Sequence, residues 1–457
     1  MNKISSVEEK HIAVFVFPFG SHPLPLLNLV IKLSHAAPNL HFSFIGTELS
    51  NKPLLSKPHI PDTIKFFTVG DGVPKGHVPC GHRVERVNLF LQAGPQNLQK
   101  GIDLAVAETG HRVTCIIADA FVTPSLTVSQ HLNVPWIPVW PPLSSSLSAH
   151  FYTHLIRQTC ANNNLSRDSP LDFLPGLSMM RVEDLPEDVV NGGEDETLFS
   201  KALASLGIVL PQAKAVVVNF FEELDPPLLV HDMRSKLSAF LYVGFLTLSL
   251  PLPPLPPSDT DATGCLSWLD KHNGGSVVYV SFGTVVTPPQ DEIVALAEAL
   301  EASGFPFLWS LKEHVKGVLP NGFLERTRNN GKVVPWSPQS EVLGHGSVGV
   351  FVTHCGCNSV FESMSNGVPM ICRPFFGDQG MTGKMVEDVW EIGLRVEGGV
   401  FTKHGLLKSL NLILVQEEGK RMRQNALEVK RTVLDAAGPE GKATQDFKTL
   451  VEVVSSS

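Results

Sequence analysis

Two stretches of this chain open in the same way. From Ile12 to Phe17 an apolar run of strand length meets a Pro/Gly turn, and Leu26, Leu29, Val30 and Leu33 then recur at i, i+3, i+4 and i+7. That spacing is one face of an α-helix. The second opening begins at Ser276. Val277–Ser281 reads as a buried strand, Gly283 breaks it, and Ile293, Leu296, Ala297 and Leu300 form a helix face that Gly304 is placed to stop.

Between the two, the prolines from Leu246 to Gly264 favour extended polyproline geometry, a semi-rigid linker. Apolar strand runs alternate with amphipathic helices on both sides of it, which predicts two α/β domains with mostly parallel sheets. Phe447, Leu450, Val451 and Val454 mark a last amphipathic helix. The expected boundaries are 1–245 for the N-terminal domain, 246–263 for the linker, 264–438 for the C-terminal domain and 439–457 for the last helix. Sheets of this kind take ligands beyond the carboxyl ends of their strands, so the chemistry is to be sought there.

Composition narrows the picture. With 457 residues, 43% hydrophobic and 18% charged, the chain has ample material for large cores. A net charge of −9 argues against nucleic acid or an anionic membrane as partner. The seven cysteines are few, odd in number and mostly scattered, a pattern of free thiols in a reducing compartment. The opening "MNKISSVEEK" is polar and lacks the character of a signal peptide. The uncharged stretch from Leu241 to Pro257 holds five prolines and would not make a spanning helix. A cytoplasmic protein without membrane insertion is expected.

The segment "VGVFVTHCGCNSVFES" carries the most chemistry. His354 follows a buried strand, Gly356 frees the turn, and Asn358 and Ser359 sit where a helix would begin. A helix N-terminus exposes amide donors and a partial positive charge, which suits phosphate. Glu362, one turn along from Asn358, suits ribose hydroxyls. An ordinary helix capped by Asn358 or Ser359 is the competing reading. Elsewhere, Trp336 lies between Pro335 and Pro338 with Gln339 following. This indole would stack on a base or fill a core. Asp378 and Gln379 follow a Gly turn and offer an acceptor beside an amide, as sugar hydroxyls require, or as a surface turn does. Ser281, Gly283 and Thr284 stand at another strand end.

From Trp336 to Gln379 the chain resembles the nucleotide-sugar box of the plant family 1 UDP-glycosyltransferases. It keeps the spacing of Trp336, Gln339, His354, Gly356, Asn358, Ser359, Glu362, Asp378 and Gln379. The resemblance extends over nearly the whole chain. It is nearest to the anthocyanidin and flavonoid 3-O-glucosyltransferase branch, in stretches such as "CIIADAFVT", "LDFLPGLS" and "VPMICRPFFGDQ". It implies a GT-B fold: two facing Rossmann-like domains with a cleft between them, the first for acceptor, the second for UDP-sugar, the last helix crossing back to the first. By the same resemblance Trp336 stacks on uracil, the Ser337 backbone pairs with it, and Gln339 and Glu362 hold the ribose. His354, Asn358, Ser359 and Thr284 hold the diphosphate, Asp378 and Gln379 bind glucose, and Ser21, Ser281 and Cys357 complete the UDP-sugar set. Gln at the position of Gln379 goes with glucose in this family, and His with galactose.

In the N-terminal half, "FPFGSH" sets His22 beyond the first strand and "VTCIIADAF" sets Asp119 at the end of another. A histidine can take a proton from a phenolic hydroxyl, and a carboxylate on its other nitrogen fixes the tautomer. A strand-end histidine is also commonly structural; the resemblance makes His22 the base and Asp119 its partner. It implies transfer of glucose from UDP-glucose to the 3-hydroxyl of an anthocyanidin or flavonol, with inversion to a β-glucoside. UDP-glucose is then a co-substrate, with no cofactor and no metal, and a monomer is expected. Flat apolar walls suit a planar polyphenol. Phe17, Phe19, Phe121 and Phe376 lie near predicted strand ends, and Gln92 and His150 match acceptor-contacting positions of the flavonoid branch.

Two positions depart from the family pattern. Cys357 stands where most members have Trp, and Pro141 where related enzymes often have Thr. They motivate an alternative, a UDP-sugar-binding protein with weak or altered activity. A dinucleotide oxidoreductase would also use two α/β halves, yet neither opening strand is followed by G-x-G-x-x-G. "HCGC" lacks the paired knuckles of a zinc site. His77, Cys80 and His82 in "GHVPCGH" read as a surface loop.

Overall fold

The computed structural model describes residues 9–57, 59–81, 84–193 and 196–457. Among these the chain forms two compact units. One comprises the chain through Ser178, Glu187–Thr247 and Ala436–Ser457; the other comprises Met179–Pro186 and Leu248–Asp435.

The first unit is built on seven strands: β1 (Lys10–Phe15), β2 (Leu40–Thr47), β3 (Ile64–Val69), β4 (Cys115–Asp119), β5 (Trp136–Trp140), β6 (Val216–Val218) and β7 (Phe240–Tyr242). All pairings are parallel, in the order β3-β2-β1-β4-β5-β6-β7. The order reverses between β1 and β4, the switch point where such sheets bind ligands. The helix Pro23–Ala36 buries the four residues picked out by their spacing, Leu26, Leu29, Val30 and Leu33, against this sheet. Strand β1 is shifted two residues toward the N-terminus of the apolar run. Phe17 leaves the sheet because Pro18 has no amide hydrogen to continue a ladder. The last helix, Lys442–Ser455, adds Leu450 and Val454 to the same core, and its Asp446 accepts the Tyr242 amide of β7 at 2.8 Å.

The second unit repeats the plan. Its strands are β8 (Val277–Ser281), β9 (Phe307–Ser310), β10 (Gly331–Val334), β11 (Val348–Thr353), β12 (Met370–Cys372) and β13 (Gly393–Arg395). They run parallel in the order β10-β9-β8-β11-β12-β13. Its switch point lies between β8 and β11. The helix Gln290–Ser303 buries Ile293, Leu296, Ala297 and Leu300, and Gly304 ends it at φ +68° in the left-handed region. The short piece Met179–Pro186 groups with this unit and not with the N-terminal block of 1–245. Its Asp184 is fully buried and accepts from Arg395 at 2.6 Å.

Among the described residues no helix is long and apolar enough to cross a membrane. All seven cysteines are free thiols. His77 lies 2.8 Å from Glu85, whose carboxylate also accepts the Cys80 amide; His82 and the first eight residues fall outside the described residues.

Candidate functional site

Candidate groups gather at the switch point of each sheet. In the first unit, Gly20 turns the chain at φ +59° after β1 and His22 enters the helix Pro23–Ala36 at its N-terminus. Asp119 closes β4, the neighbouring strand, so parallel pairing brings the two side chains together. His22 Nδ1 lies 2.8 Å from Asp119 Oδ2. The other carboxylate oxygen accepts the Phe121 amide at 3.0 Å. Asp119 is fully buried and the His22 side chain is 17% exposed. An ionised carboxylate only accepts, so Nδ1 carries the hydrogen and Nε2 keeps its lone pair.

Aromatic rings surround that imidazole. Phe17 and Phe121 lie 5.0 and 4.6 Å from it, ring centre to ring centre. Phe17 contacts Phe19 at 5.1 Å, and Phe121 contacts Trp140 at 5.0 Å, which leads on to His150 at 5.6 Å. His150 is buried, with Nδ1 3.9 Å from Asp188. Sequence reasoning missed Phe90, Phe199 and Trp140. Phe199 stacks on Phe17 at 6.0 Å from a distant segment, and nothing in the local pattern marks it. Gln92 is exposed and lies off the face of its helix that carries Phe90, two residues away. Ser21 is exposed beside His22, and Pro141 is buried with its carbonyl accepting from Asn219 at 2.7 Å.

In the second unit β11 ends at Thr353 and the chain turns through Cys355, a non-glycine residue at φ +64°. Such a backbone is sparsely populated and is often kept where a side chain must be aimed. His354 is wedged between two glycines. A Cβ on Gly356 would sit 2.3 Å from its Nε2, and one on Gly283 would sit 3.0 Å from its Cε1. Burial pushes the imidazole down to about 4, and the charge of Lys312 acts in the same direction. It is therefore neutral near pH 7 and offers a single N–H. Its Nδ1 is buried with no partner among the described residues. Lys312 donates to the Val286 carbonyl at 2.9 Å and to Thr287 at 3.2 Å, setting a cation beside the turn after β8. Nothing in the local sequence pattern marks Lys312.

The helix Cys357–Asn366 follows, with Gly356 at its cap and no side chain closing its first turn. The competing reading, in which Asn358 or Ser359 caps it, does not hold. They are its second and third residues, so the end of the helix is not closed by its own side chains. Ser281 is buried and Thr284 exposed at the end of β8. Trp336 is 62% exposed, which removes the core-indole alternative.

A hydrogen-bonded set links three segments below it. Gln339 Nε2 donates to Ser359 at 2.9 Å and to Glu362 at 2.5 Å. Tyr279 of β8 donates to Gln339 Oε1 at 3.2 Å and lies 2.9 Å from the Ser337 hydroxyl. Burial pushes the Glu362 carboxyl up to about 7, with the Gln339 amide opposing and Glu341 adding to the rise. Farther along, Cys357 donates its thiol hydrogen to Asp378 at 3.3 Å. Gln379 Oε1 accepts the amides of Phe375 and Phe376 at 2.9 and 3.3 Å, which turns its Nε2 hydrogens to other partners. Phe376 is 45% exposed in the same loop.

Neutral donors, an uncapped helix N-terminus, an exposed indole and a carboxylate beside a carboxamide suit a nucleoside diphosphate bearing a hydroxyl-rich group. Comparison with known proteins points the same way. The family model described as UDP-glucoronosyl and UDP-glucosyl transferase matches residues 95–435. The chain is similar to an anthocyanidin 3-O-glucosyltransferase of Vitis vinifera, 48% identical with 97% of each chain covered. It is also similar to an anthocyanidin 3-O-galactosyltransferase of Rhododendron delavayi, 47% identical with 98% of this chain and 97% of that one covered. A solved structure of a UDP-glucose:anthocyanidin 3-O-glucosyltransferase in complex with UDP is 63% identical, with a TM-score of 0.93 and coverage of 99% of this chain and 100% of that one.

Proposed function

The chain belongs to the UDP-glucoronosyl and UDP-glucosyl transferase family, and from that premise we propose that it moves glucose from UDP-glucose to the 3-hydroxyl of an anthocyanidin or flavonol. The observation that carries this reading is the His22–Asp119 pair, 2.8 Å apart and ringed by Phe17, Phe121 and their neighbours. Such a site suits a planar phenol that must lose a proton.

His22 Nε2 takes the proton of the acceptor hydroxyl, and Asp119 stabilises the imidazolium that forms. The acceptor oxygen attacks the anomeric carbon of glucose as the bond from that carbon to the UDP oxygen breaks, and the α-linked donor gives a β-glucoside. General-base help of this kind contributes about 10²–10⁴-fold. Charge collecting on departing UDP meets the N–H of His354, the side chains of Asn358, Ser359 and Thr284, and the first turn of the helix Cys357–Asn366. Trp336 takes the uracil face, the Ser337 backbone its edge, and Gln339 and Glu362 the ribose. Asp378 accepts from sugar hydroxyls and Gln379 donates to them, with Ser21, Ser281 and Cys357 completing the donor contacts. Phe19, Gln92, Phe121, His150 and Phe376 meet the acceptor. UDP-sugar serves as co-substrate. The free thiols support a reducing, cytoplasmic compartment, and a monomer is the simplest assembly for this reading.

A sugar-binding protein with little turnover is not favoured, because relatives similar over the whole length are named as transferases. Incubation with UDP-glucose or UDP-galactose and cyanidin or quercetin, with product mass and attachment position read out, tests the proposal. A 3-O-glucoside is expected. Absence of product over a broad acceptor panel, with UDP bound, would return the binding reading.

A further inference from the structure

Tyr279 is one of only three tyrosines in the chain and lies in the middle of a strand that reads as pure core. Its side chain is fully buried, and its ring stacks on Phe351 with centres 5.0 Å apart and planes 20° from parallel. The hydroxyl therefore has a fixed place. A phenol buried without partners costs free energy, yet this one has two, Ser337 and Gln339.

With the Gln339 amide as it stands, each hydrogen has a direction. Gln339 Oε1 can only accept, so the Tyr279 hydrogen goes to it. Ser337 then donates to the tyrosine oxygen. On the other side of the amide, Nε2 donates to Ser359 and to Glu362. Turning the amide over would set its carbonyl against the Glu362 carboxylate and would send the tyrosine hydrogen to Ser337 in place of Gln339. Glu362 alone does not fix that choice. Burial holds its carboxyl up at about 7, with Glu341 adding to the rise, so near neutrality many molecules carry a proton there, and a protonated carboxyl can accept from the NH₂ in one orientation or donate to the carbonyl in the other. An ionised Glu362 selects the observed orientation, and the tyrosine hydroxyl, donating to Oε1, ties the amide in place from the other side.

We propose that Tyr279 is a positioning residue for nucleotide recognition: through its hydroxyl it fixes the Gln339 amide so that Gln339 and Glu362 present their groups to the ribose of the UDP-sugar. This rests on the reading that Gln339 and Glu362 hold the ribose. Tyr279 itself touches neither nucleotide nor sugar in this account.

The test is the affinity of Tyr279→Phe for UDP and for 2′,3′-dideoxy-UDP, measured by calorimetry beside wild type. A residue acting through ribose recognition lowers affinity for UDP by about fivefold, the worth of about one net hydrogen bond. It leaves the dideoxy nucleotide within about twofold, and kcat at saturating donor is unchanged. Equal losses for both nucleotides, or no loss for UDP, would overturn the proposal. Tyr279→Phe leaves the Ser337 hydroxyl without its partner. Should that variant fold poorly, Tyr279→Phe/Ser337→Ala removes both hydroxyls while keeping the Ser337 backbone, and the same selective loss is expected. Gln339→Ala separates this proposal from the reading beneath it. If Gln339→Ala leaves the preference for UDP over the dideoxy form intact, the ribose assignment fails. If it abolishes that preference and Tyr279→Phe does not, the tyrosine proposal alone fails.

Discussion

Asp119 can be changed in charge with almost no change in shape. Its two oxygens are both committed, one to His22 and one to the Phe121 amide. Asp119→Asn keeps the packing but can offer an NH₂ to Nδ1, which favours the tautomer with the hydrogen on Nε2 and removes the base. Turnover is expected to fall about 10²–10⁴-fold while UDP affinity, read by calorimetry, is unchanged. Buried acids at the same scale govern pH dependence. Glu362 and Asp225 both have folded-state values raised to about 7 by burial. Each contributes stability that is complete below its ordinary carboxylate range and is lost as pH rises through 7. His354, pushed down to about 4, works the other way, with stability present above 6.5 and lost as pH falls through 4. The three partly cancel in wild type, so the sign is read from variants. Asp225→Asn and Glu362→Gln should each gain stability relative to wild type between pH 5 and 8 in urea unfolding. A constant difference across that range would count against the raised values.

At the scale of elements, the loop that carries Asp378 and Gln379 is held by a strut. Arg373, at the end of β12, makes a two-pronged pair with Glu292 of the helix Gln290–Ser303, at 2.9 and 2.6 Å. Glu292 also accepts the Phe401 amide at 2.8 Å, and the guanidinium lies 4.0 Å over the Phe375 ring. Glu292 is buried and Arg373 largely so, and Glu292→Ala leaves the guanidinium without its counter-ion. It should cost the second unit about 3–5 kcal/mol, measured by urea unfolding. The glycine wedge around His354 makes a second case. Gly356→Ala sets a Cβ 2.3 Å from the imidazole and must move it. UDP affinity is expected to drop about tenfold or more, in line with the loss of a donor to a charged group, with the far-UV spectrum unchanged. The helices around these sites were legible because their apolar faces repeat at helical spacing. The strut was not, because Glu292 reads as an ordinary first-turn acid and its partner lies far along the chain.

For the whole molecule, two strand–turn–helix openings announced two doubly wound sheets, and each switch point carries candidate residues, His22 and Asp119 in one and Ser281, Thr284 and His354 in the other. Most residues proposed for the UDP-sugar stand out because they sit within one continuous segment, from Trp336 to Gln379; Ser21, Ser281 and Thr284 lie outside it. The acceptor side was legible at His22, Asp119 and Phe121, which stand beside strand ends. Phe90, Phe199 and Trp140 were not, since an aromatic residue in an apolar stretch carries no sign of which cavity it faces. Tyr279 and Lys312 were missed for the same reason: both lie in or just after buried strands and gain meaning only from neighbours brought in by parallel pairing. Met179–Pro186, which groups with the second unit, was missed because the buried Asp184 finds its partner, Arg395, 211 residues along the chain.

The central claim is that the imidazole of His22 removes the acceptor proton while a separate set of residues holds UDP-sugar. Single-turnover glucosylation of quercetin by His22→Ala, with UDP affinity measured on the same preparation, tests it most directly. The account predicts a rate lower by about 10²-fold or more with UDP affinity within about twofold of wild type. Full-rate product formation by the variant would contradict it.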